Sequence, residues 1–150
     1  MSTDFTWHCN ALKCRTVLQN RAVVTTCSHI FCLTCAETQG LASSNNGVRI
    51  CPACNTQLVN QDDAIITQLD PSEDYKTSVL SGMHPSIIME CAGRGLAFYT
   101  YQVSNEITYQ TYLAASLTDK YSQVNNQLDT IITQANGQIK KLQDALKGAS

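Results

Sequence analysis

Seven cysteines and a histidine spaced as ligands for a soft metal fall within the first 54 residues: Cys9, Cys14, Cys27, His29, Cys32, Cys35, Cys51 and Cys54, with His8 the less fitting substitute for Cys9. Their spacing reads C-x4-C-x12-C-x-H-x2-C-x2-C-x15-C-x2-C. Eight such ligands make two tetrahedral zinc sites with none left over. Cysteines paired in tight turns converge on Zn2+ at about 2.3 Å, while nearby amides donate to their sulfurs. With every coordination position filled by protein, no place remains for an activated water, so this zinc is structural. Spacing alone leaves the pairing open. Filled in sequence, Cys9, Cys14, Cys27 and His29 share one ion, and Cys32, Cys35, Cys51 and Cys54 the other. Interleaved, Cys9, Cys14, Cys32 and Cys35 form one site, and Cys27, His29, Cys51 and Cys54 the other.

The elements that must position these ligands are short. About 60 residues cannot bury enough apolar surface to fold without such staples. RAVVTTC (21–27) and GVRIC (47–51) carry β-branched residues into ligands and read as a small hairpin or ribbon. CLTCAETQGLA (32–42) reads as a short helix with Gly40 near its end. Cys91, in the helical pattern IIMECAGRGLAF, reads as a buried small hydrophobe and not a ligand.

Composition changes beyond this region. Seven of the eight cysteines precede residue 55, and residues 96–147 hold neither Cys nor Pro. In the intervening LDPSEDYKTSVLSGMHPSII, Asp70 reads as an N-cap with Pro71 at the first helical position. Gly82 ends that helix and Pro85 starts the next. From there a heptad holds, with a positions at Ile107, Ala114, Tyr121, Leu128, Ala135 and Leu142. The d positions are Val103, Gln110, Leu117, Val124, Ile131, Gln138 and Ala145. Over six heptads this pattern predicts a coiled coil, with Val103, Ile107, Leu117, Tyr121, Val124, Leu128, Ile131 and Leu142 as the oligomerising side chains. The flanks are rich in Gln, Asn and Thr, so charge does little to set partner or register. The pattern is barely finished at LKGAS, which reads as a piece of something longer.

Net charge is −2, which excludes a global basic field for nucleic acid. Residues 1–60 carry four Lys/Arg against two acids, and residues 61–102 two against six. The acids at 62, 63, 70, 73 and 74 read as solvated surface. The aromatic run GLAFYTYQVSNEITYQ (95–110) lacks interleaved cations, so packing is expected there and not base stacking. MSTDFTWHCN has no signal-peptide character, no N-x-[ST] acceptor occurs, and no stretch reaches the ~18–20 apolar residues of a membrane span. An intracellular, reducing compartment is therefore expected, where clustered cysteines mean metal and not disulfides.

The order C3HC4, with CSHIFC at 27–32 and CPAC at 51–54, resembles the RING finger. The resemblance implies the interleaved cross-brace. It also implies ligase activity, in which a ubiquitin- or SUMO-conjugating enzyme is held and no covalent intermediate forms. The docking groove for that enzyme maps onto Ala11, Leu12, Leu33, Ala36, Pro52 and Ala53. Two departures are visible: a first pair spaced C-x4-C where most RINGs have C-x2-C, and Asn55 where many RINGs carry Arg or Lys. CNALKCR (9–15), TCSHIFC (26–32), ICPACN (50–55), DPSEDYK (70–76) and RGLAFYTYQV (94–103) together resemble the cyclin-B-interacting meiotic RING proteins. That resemblance covers residues 9 to about 110 and makes both departures family features. It implies crossover-promoting ubiquitin or SUMO ligase activity on meiotic chromosomes in the nucleus, among synaptonemal complex proteins. The expected architecture is a small α/β zinc-stapled RING finger (1–60), a linker with a short helix (61–84) and a long α-helical coiled coil (85–147). A non-catalytic, self-assembling scaffold is the other function compatible with these residues.

Overall fold

A computed structural model describes residues 5–42 and 48–149. Strand β1 (Arg21–Thr25) pairs antiparallel with β2 (Ile30–Phe31) on one side and with β5 (Ala64–Gln68) on the other. Helix α1 (Leu33–Thr38) follows β2, and β3 (Arg49–Ile50) pairs with β4 (Gln57–Leu58) in a separate ribbon. The two segments expected to form one hairpin are therefore both strands, but they lie in different sheets. Gly47 lies outside the described residues. Helix α1 runs into Gly40, whose φ of +80° suits a residue without a Cβ.

Strand β5 corrects the expected linker boundary. Residues 64–68 add a full five-pair ladder to β1, from Arg21 opposite Gln68 to Thr25 opposite Ala64. AIITQ is rich in β-branched side chains, so the signal for a strand was present in the sequence. The core beneath is small and made of Leu18, Ala22, Val23, Ile30, Phe31, Ala36, Leu41 and Leu58, joined by Cys9 and Cys51. Arg49 is an organiser that the sequence did not announce. Its guanidinium donates to the carbonyls of Leu41, Ala64, Asn60 and Gln61 at 3.0, 3.5, 2.8 and 2.9 Å. One side chain thereby ties the end of α1 and the start of β5 to β3.

Helix α2 (Glu73–Ser78) is capped by Ser72, whose Oγ accepts from the Tyr75 amide at 3.2 Å. The cap is thus Ser72 and not Asp70, because Pro71 stays outside the helix. Gly82, at φ +89°, stands between α2 and α3 (Pro85–Ala149). Cys91 is exposed on α3, contrary to the expected burial.

Contacts divide the chain into two compact units, Met1–Asn105 and Glu106–Ser150. The first includes the opening turns of α3, where Phe98 packs against the core. Trp7 sits 5.7 Å from Phe98 and 5.9 Å from Tyr99, ring centre to ring centre. Phe98 and Tyr99 of the aromatic run thus pack on Trp7. The second unit is helix alone, and its apolar side chains, Leu117, Tyr121 and Val124 among them, are exposed. No described helix is long and apolar enough to cross a membrane.

Candidate metal centre

Each ligand pair is held by a tight local turn. Cys27 and His29 occupy the turn of the β1–β2 hairpin, closed by Thr25 N–H to the His29 carbonyl at 2.9 Å and by Ser28 N–H to the Thr25 carbonyl at 3.1 Å. Ser28 takes the left-handed conformation, φ +68°, which brings the two ligands to one side. Cys51 and Cys54 sit in a second turn, where Asn55 N–H donates to the Cys51 carbonyl at 2.8 Å. The C-x4-C loop is wider. Its chain turns between Ala11 and Cys14 and reverses through Arg15, again left-handed at φ +56°, so that Cys9 N–H reaches the Thr16 carbonyl at 2.9 Å.

Long-range pairing then decides which turns meet. Asn10 N–H donates to the Ile30 carbonyl at 2.8 Å, and its Oδ1 accepts from Ile30 N–H at 2.9 Å. This carries the first loop to the start of α1, where Cys32 and Cys35 lie. Cys9, Cys14, Cys32 and Cys35 converge there, and Cys27, His29, Cys51 and Cys54 converge separately, all ligand atoms of each group lying within 4.8 Å of one another. The pairing is the interleaved one.

The geometry fits zinc. A tetrahedron with Zn–S of about 2.3 Å has an S···S edge of about 3.8 Å, and an edge of about 3.6 Å to an imidazole nitrogen. Cys14 Sγ and Cys32 Sγ are 3.8 Å apart, and Cys51 Sγ and His29 Nδ1 are 3.6 Å apart. Electrostatics point the same way. Burial pushes the Cys27 thiol up to about 12 and raises Cys9 and Cys35, while it lowers His29 and keeps the imidazole neutral. Each site therefore contains thiols that burial keeps protonated unless a cation holds the thiolate. Two structural zinc ions meet that need, each with four protein ligands.

The outer shell repeats a small device. Threonine hydroxyls lie against three of the sulfurs: Thr16 at 3.0 Å from Cys14, Thr25 at 3.0 Å from Cys27 and Thr56 at 2.9 Å from Cys54. The Thr16 hydroxyl brings the Cys14 thiol down to about 6; at Cys54 burial is the largest influence, but hydrogen bonds from Thr56, Cys27 and Cys51 together outweigh it and lower the thiol. Backbone amides add to this, from Cys32 to Cys9 Sγ at 3.4 Å and from Cys35 to Cys32 Sγ at 3.3 Å. In the second contact the Cys32 sulfur is also the N-cap of α1. Each threonine lies two residues from its cysteine, a spacing readable in the sequence.

The residues expected to face a partner enzyme are divided. Leu12 is 78% exposed on the loop between Cys9 and Cys14. Ala53 and Asn55 are exposed at the Cys51–Cys54 turn, while Pro52, Ala11 and Leu33 are half-buried. Ala36 is corrected: at 1% exposure it belongs to the core, on the inward side of α1, and offers no contact surface. Asn55 has φ +62°, a conformation that asparagine tolerates better than arginine or lysine, which accounts for an amide at this position.

Residues 8–56 match the zinc-RING finger domain family. Over 104 residues, 69% of this chain, the sequence is 46% identical to the Homo sapiens E3 ubiquitin-protein ligase CCNB1IP1, covering 36% of that protein. The Mus musculus protein of the same name is 45% identical over 104 residues, likewise 69% of this chain and 36% of its own length. The Arabidopsis thaliana E3 ubiquitin-protein ligase CCNB1IP1 homolog is 33% identical over 102 residues, 68% of this chain and 31% of its own. This chain thus spans about a third of the length of the curated relatives it matches. No solved structure matches it.

Proposed function

The chain belongs to the CCNB1IP1 family of RING proteins, and from that premise we propose that it is a RING-type ligase acting through a bound ubiquitin-conjugating enzyme. The observation that carries this reading is Leu12, a large apolar side chain 78% exposed on a loop held rigid by the first metal site. A leucine so displayed costs folding nothing to remove and gains apolar burial only when a partner covers it, at about 25 cal/mol per Å2. With Leu33, Pro52 and Ala53 it supplies the groove. The eight metal ligands hold that groove's loops, and none is left with a free coordination position. The protein contributes no nucleophile. It lowers the barrier by holding the modifier's thioester where a substrate lysine attacks it.

The family resemblance extends the proposal to crossover recombination on meiotic chromosomes in the nucleus, among synaptonemal proteins. The exposed apolar stripe of α3 supports self-assembly through a coiled coil. A second reading, a scaffold whose RING only recruits partners, draws on Asn55, which supplies no charge where many RINGs have a cation.

The test is discharge of a pre-charged conjugating enzyme onto free lysine, run in parallel with ubiquitin and with SUMO. Accelerated ubiquitin discharge is expected, with Leu12→Ala reducing the rate about tenfold or more at unchanged zinc content. Loss of one well-buried leucine contact, at about 1.5–3 kcal/mol, sets that scale. Asn55→Arg is expected to raise the rate, its added charge outweighing the cost of a left-handed arginine. Discharge of SUMO alone would reassign the modifier. No discharge with either, in a folded and zinc-loaded protein, would leave the scaffold.

A further inference from the structure

Two neighbouring residues of α3 reach back to the metal centre from more than 70 positions away. Gln102 is 3% exposed, the one buried residue in the described length of α3. Its Nε2 donates to the Ser28 carbonyl at 2.7 Å, between ligands Cys27 and His29. Its Oε1 accepts from Asn10 Nδ2 at 3.1 Å, next to ligand Cys9. Tyr101 meets His29 edge to face, with ring centres 5.5 Å apart and planes at 77°, and its hydroxyl lies 3.4 Å from His29 Nε2. With an ion held through Nδ1, which faces Cys51, the imidazole would carry its proton on Nε2, where Tyr101 Oη is placed to accept it.

We infer that Tyr101 and Gln102 are positioning residues for the Cys27–His29–Cys51–Cys54 site, so that docking of α3 and metal retention at that site are thermodynamically linked. A histidine ligand needs its second nitrogen held to keep ring orientation and tautomer, and Tyr101 is the group placed to hold it. The Ser28 carbonyl belongs to a left-handed residue at the tip of the hairpin turn, and the Gln102 amide fastens it. An amide buried this deeply would be costly if unpaired, and both of its polar ends are satisfied only when both metal loops are in place. Linkage is reciprocal: whatever α3 adds to the hold on the metal, the metal returns to the docking of α3. The matched family domain, residues 8–56, therefore lacks part of its own outer shell.

The test uses the full chain loaded with cobalt, whose absorption separates the four-cysteine site from the three-cysteine, one-histidine site. Metal loss to a chelator is followed at each. In Tyr101→Phe the Cys27–His29–Cys51–Cys54 site should release its ion about 10- to 100-fold faster, the range typical of outer-shell loss, while the other site keeps its rate. Gln102→Leu, which keeps volume but cuts both amide ties, should also accelerate release at that site. Tyr99→Phe, whose ring packs on Trp7, should change nothing. Conversely, Cys54→Ser should speed hydrogen exchange of the α3 amides around 98–102. Equal acceleration at both sites in Tyr101→Phe, or no acceleration in either variant, overturns the inference. So does unchanged exchange in Cys54→Ser.

Discussion

Cys32→Ala, or chelation of both ions, will cost the amino-terminal module its tertiary structure, and this is the largest effect expected of any change to the chain. Structural zinc in small domains is held with an apparent ~10–16 kcal/mol at neutral pH, and that binding energy is folding energy. The apolar core cannot replace it. Only Phe31, Ile30, Leu41 and Leu58 among its larger non-cysteine side chains are essentially fully buried, and loss of even the Phe31 ring would cost about 3–5 kcal/mol. Cys32 is the severest single site because its sulfur has two roles. It ligates, and it caps α1 by accepting the Cys35 amide at 3.3 Å. The expected outcome is loss of at least one zinc equivalent by elemental analysis, together with collapse of amide chemical-shift dispersion for residues in β1, β2 and β5. Retention of native dispersion with the metal gone would contradict it. Acid acts in the same direction, since protons compete with zinc for the thiolates and retention weakens as pH falls.

The second large effect concerns the exposed stripe of α3. Under the proposed self-assembly through α3, replacing Leu117 and Val124 together by asparagine is expected to leave a monomer, measured by light scattering on a sizing column. Both side chains are bare in the single chain, at 70% and 62% exposure. Burying each in a seam is worth about 1.5–3 kcal/mol per copy, so a dimer loses both contributions twice. The same stripe also refines the heptad. Up to Leu128 the spacing alternates four and three, through Val103, Ile107, Gln110, Ala114, Leu117, Tyr121 and Val124. Beyond it, strict continuation runs through Ile131, Gln138 and Ala145, whereas Ile132, Ile139 and Leu146 stand one residue later, all exposed and the last two larger apolar residues than their strict counterparts. Two successive steps of four, from Val124 through Leu128 to Ile132, make a stutter, which locally unwinds a left-handed supercoil. Ile139→Asn will then weaken assembly about as much as Leu142→Asn. A strict heptad would leave Ile139 outside the seam and the substitution nearly silent.

The sequence by itself determined the ligands, their number and the chemistry. Eight soft donors with none to spare, close-spaced so that each pair fits one turn, cannot serve much else in a chain this short of core. It also carried the family resemblance, because ligand spacing and the DPSEDYK and RGLAFYTYQV segments are local text. Pairing was different. On residues alone the sequential and interleaved sets were equally open, since each turn forms locally but meets its partner only through contacts such as Asn10 to Ile30. The β-ladder of residues 64–68 was legible in AIITQ, yet its membership in the amino-terminal sheet depended on an antiparallel partner 39 to 47 residues earlier. Ala36 and Cys91 show the limit from the other side. Small side chains carry too weak a pattern to say which face of a helix they occupy, and both fell on the face opposite to the expected one. Only the tertiary structure could single out Arg49, Tyr101 and Gln102. A polar residue in a strand or on a helix reads as surface until the fold brings a distant carbonyl or ligand to it. Burial then turns an unremarkable glutamine into a group whose hydrogen bonds the folded state cannot forgo.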